Sequence, residues 1–141
     1  MTHPVHPLLV HFPIACWSLS TFGDIVGMFY PTGFTQAIAT LMLIGIISGI
    51  AAMAAGLFDA VKYKHIEHLS NPIDKHMYAA ITAWSFYLVS LSLRWDDALS
   101  MVPDMWAIVT SVAGAISVMV AGWYGGNLVY VHGVGTQKLK D

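Results

Sequence analysis

The stretch LMLIGIISGIAAMAAGLF, residues 41–58, contains no charged side chain and no proline. An α-helix rises about 1.5 Å per residue, so about 20 mostly apolar residues cross a hydrocarbon core of about 30 Å. Mostly uncharged residues continue on both sides, and we predict a transmembrane helix over about residues 35–61. A helix is expected because in lipid every backbone N–H and C=O group needs a partner within the protein.

Three further apolar segments have a similar length and predict helices over about residues 7–28, 72–93 and 103–131. Asn71 is expected to cap the third segment, with Pro72 in its first helical position. Asp104 falls in the first turn of the fourth segment, and Gly133 lies just past its end. We therefore predict an all-α integral membrane four-helix bundle, formed as a single domain over residues 1–141.

The composition also points to lipid as the solvent. The chain is 57% hydrophobic and 10% charged, with a mean hydropathy of +0.66, whereas an ordinary soluble domain has about 25% charged residues. A net charge of −2 argues against a nucleic-acid partner, which needs a basic surface. Cys16 is the single cysteine, so no internal disulfide or CxxC motif is expected. The N-terminus lacks a basic region before its apolar run, which predicts no cleavable signal peptide.

Short loops between four spans predict an up-down-up-down order with both termini on one side, called here the near side. All seven histidines lie on that side: His3, His6, His11, His65, His68, His76 and His132. Five lysines lie there too: Lys62, Lys64, Lys75, Lys138 and Lys140. Arg94 is the one basic residue that falls on the far side. Asp24 is expected to reach water on that side. The positive-inside rule then places both termini in the cytoplasm.

One ionisable side chain from each predicted helix falls at a similar depth near this face: His11, Asp59, His76 and His132. His11 and His76 each follow a proline at the helix start by four residues, or about 6 Å along the helix. His6 stands just above them. Ionisable groups at membrane depth are costly and tend to be functional, so we predict a ligand site made of these histidines.

Imidazole binds metal or haem iron through one nitrogen, while the other donates a hydrogen bond that fixes the tautomer. Asp59 is the expected acceptor. Haem b is the first candidate cofactor, with imidazoles from separate helices on opposite faces of the porphyrin. The haem is expected to be b-type because no CxxC motif would attach it covalently. Lys62, Lys64 and Lys75 are then expected to meet its propionates. Small residues at this depth are expected to leave room for a flat ligand: Gly56, Ala79, Gly125 and Gly126.

Two alternatives stay open from the residues alone. The same histidines suit a bare Zn, Cu, Ni or Fe ion, in a metal-ion binding or transport protein. A scaffold subunit without any cofactor is the third interpretation. Hydrolytic chemistry has no support, because no nucleophile lies beside a base and an acid in one cluster. An electron-transfer or cofactor-binding protein, with a redox partner protein, is favoured over an enzyme.

Small residues recur every four positions on the second predicted helix: Ser48, Ala52, Gly56 and Ala60. Gly45 with Gly49, and Gly122 with Gly126, form GxxxG pairs. Such stripes let helix backbones approach closely in lipid. They serve either packing within one bundle or a homodimer seam, and the sequence leaves both open.

The opening HPVHPLLVHFPIA, residues 3–15, and the ending GWYGGNLVYVHGVG, residues 122–135, resemble the DUF2231 family of bacterial predicted membrane proteins. The resemblance spans essentially the whole chain and includes the Gly56–Asp59 stretch, where Ala60 replaces the family's usual tryptophan. It carries the family pattern onto His6, His11, Asp59, His76, Arg94, Gly125, Gly126, Tyr130, His132 and Gly133. It implies the bacterial inner membrane and a histidine set without a stated reaction. Some relatives are joined to cytochrome-c-like domains, which implies redox work.

Overall fold

The computed structural model describes residues 5–30, 33–95 and 101–136, and every regular element in these ranges is helical. The helices are α1 (Val5–Leu9), α2 (His11–Phe29), α3 (Thr35–Tyr63), α4 (Glu67–Leu93) and α5 (Met105–Tyr130). The predicted all-α class is confirmed. Three spans are long and apolar enough to cross a membrane: Val5–Phe29, Thr35–Tyr63 and Met105–Tyr130. Helix α4 is also long, but seven of its first ten residues are polar, so its crossing stays a prediction.

Helices α1 and α2 are one span with a break at Val10. Pro13 has no N–H to donate to the carbonyl of Leu9, and this missing bond interrupts the helix. The chain stays nearly helical through the break, because Val10 N–H bonds to the His6 carbonyl at 3.1 Å and Ile14 N–H to the Val10 carbonyl at 3.2 Å.

Helix α4 begins five residues earlier than predicted, at Glu67, and contains Pro72. The predicted cap at Asn71 is therefore wrong. The extra turn buries Leu69 and Ile73 against Leu128, and this apolar contact outweighs the one backbone bond that Pro72 cannot make. Asp104 is the N-cap of α5 rather than a first-turn residue, and its Oδ1 accepts a 2.7 Å bond from Ala107 N–H.

Side-chain hydrogen bonds show how successive helices pack. Ser20, in the middle of α2, donates to the carbonyl of Ile38, early in α3, whereas His6 of α1 bonds to the carbonyl of Ala52, farther along α3. Ser90, late in α4, donates to the carbonyl of Ala107, early in α5. Within the described ranges, α2 and α3 are therefore antiparallel neighbours, as are α4 and α5. The orientation of this order across a bilayer stays a prediction.

The centre of the bundle is aromatic, while its outside is apolar. Trp17 of α2 and Tyr87 of α4 stack with ring centroids 4.8 Å apart and planes 6° apart. Large apolar side chains cover the outer surface, among them Phe22, Ile47 and Met119, which are 66%, 61% and 66% exposed. Such a surface is typical of helices that face lipid, in agreement with the predicted lipid contact.

A buried ion pair joins α2 to the end of α4. Arg94 donates to Asp24 from Nη1 to Oδ1 at 2.8 Å and from Nη2 to Oδ2 at 2.5 Å. Ser111 of α5 donates to the same carboxylate at 2.9 Å. Both charged side chains are 0% exposed. The prediction that Asp24 reaches far-side water is wrong, because the guanidinium turns inward and satisfies the carboxylate with two parallel bonds.

We expect Asp24→Asn to destabilise the bundle strongly. Removing one partner of a buried pair leaves the other charge uncompensated, which costs about 3–5 kcal/mol. Thermal unfolding of the detergent-solubilised protein measures the loss. Asp59→Asn is the matched control, because the Asp59–Lys62 pair is partly exposed and such pairs contribute about 0–1 kcal/mol. Equal, small shifts in the two variants would contradict the assigned role of the buried pair.

Candidate histidine site

Two of the predicted ligand histidines meet inside the bundle. The rings of His6, on α1, and His76, on α4, have centroids 6.0 Å apart and planes at 84°. Since α1 and α4 belong to different hairpins, the two imidazoles approach each other from separate helices. The matched depths had grouped His11, His76 and His132, with His6 just above them, so the pair joins one histidine of that level to the one above it.

Each ring is held by a helix backbone. His6 Nδ1 lies 2.8 Å from the Ala52 carbonyl oxygen, and His76 Nδ1 lies 2.9 Å from that of Ala121. A carbonyl oxygen only accepts, so each Nδ1 carries the hydrogen and donates it. In the neutral ring, the lone pair is then on Nε2. Both side chains are thus set in the tautomer that binds a metal through Nε2.

The glycines at this level make room for the imidazoles themselves. A Cβ added to Gly56 would lie 2.9 Å from Cε1 of His6, and one added to Gly125 would lie 3.1 Å from Cε1 of His76. The prediction that these positions provide space stays untested for a flat ligand. At Gly126, an added Cβ would meet only Tyr130 Cδ2, at 3.9 Å, and Tyr130 is 89% exposed.

The other two predicted ligands lie elsewhere. His11 is exposed, and its Nδ1 donates to the Leu8 carbonyl of its own helical segment at 3.3 Å. It follows His6 by five residues, so a helix turns it by about 140° away from His6. His132 lies beside His68, with ring centroids 6.3 Å apart and planes tilted by 36°. His68, expected in a loop, is part of α4.

The carboxylates at the near end pair with lysines. Asp59 accepts a 2.7 Å bond from Lys62 instead of the expected imidazole bond. Lys64 bonds to Asp74 at 2.8 Å, and this hydrogen bond raises the pKa of Lys64 above its ordinary value. Lys75, next to His76, is exposed. Among the described residues at this face, Lys62 and Lys64 are thus already engaged by carboxylates.

The donor set has two members at the bundle centre. In residues 5–30, 33–95 and 101–136, no three His, Cys, Asp or Glu side chains come together in a group that could hold a metal ion. The sequence analysis also missed the backbone acceptors of Ala52 and Ala121 and the ion pair of Asp24 and Arg94. For Asp24 a signal existed, because a lone carboxylate within an apolar span requires a partner.

Fold and site together define a helical membrane protein with a histidine pair between its two hairpins. The profile of the family described as "Predicted membrane protein (DUF2231)" matches residues 2–138. The chain belongs to this family, as its end motifs indicated. Neither the curated proteins nor the solved structures contain a match to this chain.

We expect His6 and His76 each to carry a hydrogen on Nδ1. Their Nδ1 hydrogens bond to buried helix carbonyls, whereas His65 is exposed and should exchange between tautomers. Side-chain ¹⁵N NMR of the detergent-solubilised protein distinguishes the two nitrogens. His6→Ala and His76→Ala assign the two signals. Finding Nε2 protonated in both rings would contradict the backbone bonds.

Proposed function

We propose that this protein is a membrane b-type haem-binding protein that transfers electrons, with His6 and His76 as the axial ligands. The observation that carries the proposal is the pair of imidazoles from separate helices, each tied through Nδ1 to a backbone carbonyl. A hydrogen bond of this kind orients a ligand histidine and leaves Nε2 for the iron.

The ring separation supports a shared metal. Two imidazoles that would hold one metal through bonds of about 2 Å have ring centres roughly 6 Å apart. The His6 and His76 centroids are 6.0 Å apart. His11 and His132, which the sequence also offered as ligands, have other neighbours.

The number of donors favours haem over a bare ion. A structural zinc ion takes four protein ligands, and a catalytic one takes three. The described residues bring together no group of three His, Cys, Asp or Glu for a metal. A porphyrin brings its own four nitrogens, so two imidazoles complete its coordination. When bound, haem supplies one-electron chemistry.

The chain's own residues would hold and insulate the group. Ala52 and Ala121 orient the imidazoles through their carbonyls. Lys75, exposed beside His76, is the cation that we assign to a propionate at the near face. A redox partner protein would dock at this near end.

The purified protein should show a Soret band and sharp reduced α and β bands. We expect His6→Ala and His76→Ala each to abolish the two-histidine spectrum, because each removes one axial ligand. His11→Ala and His132→Ala are the matched controls and should retain it. Absorption spectra with haem quantification make the measurement. A protein that stays colourless with added haem and holds stoichiometric zinc or copper would contradict the haem proposal. The histidines would then bind a bare metal ion.

We also propose that the protein lies in a bacterial inner membrane with both termini and the histidine end in the cytoplasm. Three lysines lie at that end, around the connection of α3 to α4: Lys62, Lys64 and Lys75. Cationic loops stay on the cytoplasmic side. A fluorescent reporter fused to the C-terminus should fold and fluoresce in cells, whereas alkaline phosphatase fused there should be inactive. The opposite pattern would place the histidine end outside.

A further inference from the structure

We propose that the chain consists of two copies of one helical hairpin, and that each copy supplies an equivalent seat for one histidine of the pair. Residues 5–63 form the first copy and residues 67–132 the second. The repeat itself stands on sequence and contacts. Its meaning for a ligand rests on the proposed haem function and deepens it.

The second helix of each hairpin carries the same pattern, Gly-x-Ile-Ser-x-x-x-Ala-x-x-x-Gly. It occupies residues 45–56 on α3 and residues 114–125 on α5, 69 positions later. All five specified residues agree between the copies: Gly45, Ile47, Ser48, Ala52 and Gly56 against Gly114, Ile116, Ser117, Ala121 and Gly125.

The first helix of each hairpin matches at a separation of 70 positions. His6 corresponds to His76 and Ser20 to Ser90, while Trp17 is replaced by another aromatic residue, Tyr87. Few other positions agree, so the likeness of these helices becomes visible only through their contacts.

The contacts repeat at corresponding residues. Each histidine donates to the alanine carbonyl of the shared pattern, His6 to Ala52 and His76 to Ala121. Each of these rings lies over the last glycine of the pattern.

The aromatic and serine contacts repeat as well. Trp17 lies over Gly45 and Tyr87 lies over Gly114, the first glycine of each pattern. Ser20 donates to the Ile38 carbonyl, and Ser90 donates to the Ala107 carbonyl. Ala107 follows Ile38 by 69 positions, the separation found for the pattern of the second helices. These contacts and the histidine contacts occur at three levels of the bundle, so a chance likeness of one turn does not explain them.

Corresponding residues also meet one another. His6 contacts His76, Trp17 stacks on Tyr87, and Asp24 pairs with Arg94. A residue touches its own counterpart only where a two-fold axis passes between them. The axis therefore runs along the bundle between α2 and α4, as in membrane proteins built from parallel repeats.

This symmetry identifies Gly56 and Gly125 as paired positioning residues. A Cβ at Gly56 would lie 2.9 Å from the His6 ring, which must then shift, and a Cβ at Gly125 would lie 3.1 Å from the His76 ring, which must give by a few tenths of an ångström. Both changes act on the ring that the carbonyl orients. A ligand on the axis would meet one imidazole, of His6 or of His76, on each of two opposite sides. That arrangement suits the two faces of a planar metal macrocycle.

Double-mutant cycles on the full-length protein test the two seats. Alanine normally stabilises a helix relative to glycine, so a lower Tm in Gly56→Ala or Gly125→Ala reports the collision with the ring. We expect that loss to shrink by more than half when the facing histidine is already alanine, His6→Ala for Gly56 and His76→Ala for Gly125. Gly122→Ala, whose Cβ would meet nothing within 4 Å, is the control and should not lower Tm.

Side-chain ¹⁵N NMR gives the readout that a packing defect would not move. Gly56→Ala should remove the bonded Nδ1–H signal of His6 and keep that of His76, and Gly125→Ala should do the reverse. Coupling at one glycine only, or at neither, would overturn the equivalence of the seats.

Haem binding is measured separately from these two readouts. Haem retention should fall by about 10–100-fold in both glycine variants, as for other changes beside a ligand. Symmetric cycles in a protein that never binds haem would keep the repeat and reject the haem proposal. Haem binding together with asymmetric cycles would keep the haem proposal and reject the equivalence of the two seats.

Discussion

Inside this bundle every polar atom must find a partner within the protein, because lipid offers none. The structure meets that constraint chiefly through helix carbonyl oxygens, which keep a second lone pair after their helical bond. Ser20, His6 and His76 all donate to such carbonyls on a neighbouring helix. In the described part of the chain, Trp17 Nε1 is the buried side-chain atom without a partner, and it lies over the bare backbone of Gly45.

The sequence predicted the helical spans well, because apolar length is a property that each segment has by itself. It also offered histidines from separate helices as ligands of one site, which stays a prediction. It did not predict which histidines meet, because depth follows from counting residues whereas facing direction follows from how helices pack. His6 and His11 differ little in depth, yet about 140° of helical rotation separates them, and His6 faces inward.

Partners of charged groups were harder to predict for a similar reason. Asp59 was assigned to an imidazole, but Lys62 lies one turn away on the same helix and reaches it first. Asp24 was assigned to water, although Arg94, 70 positions later, lies opposite it in the bundle. Pairing across helices depends on their relative rotation, which hydropathy does not encode. The start of α4 was missed because Pro72 is tolerated within the helix, whose preceding turn buries Leu69.

The ion pair between Asp24 and Arg94 has a consequence for how the halves of this chain recognise one another. They occupy corresponding positions, so two copies of the first hairpin would bring two carboxylates together, and two copies of the second would bring two guanidinium groups together. Either arrangement buries like charges without compensation. Only unlike halves are compatible. The present charges therefore make the association of the two halves heterotypic.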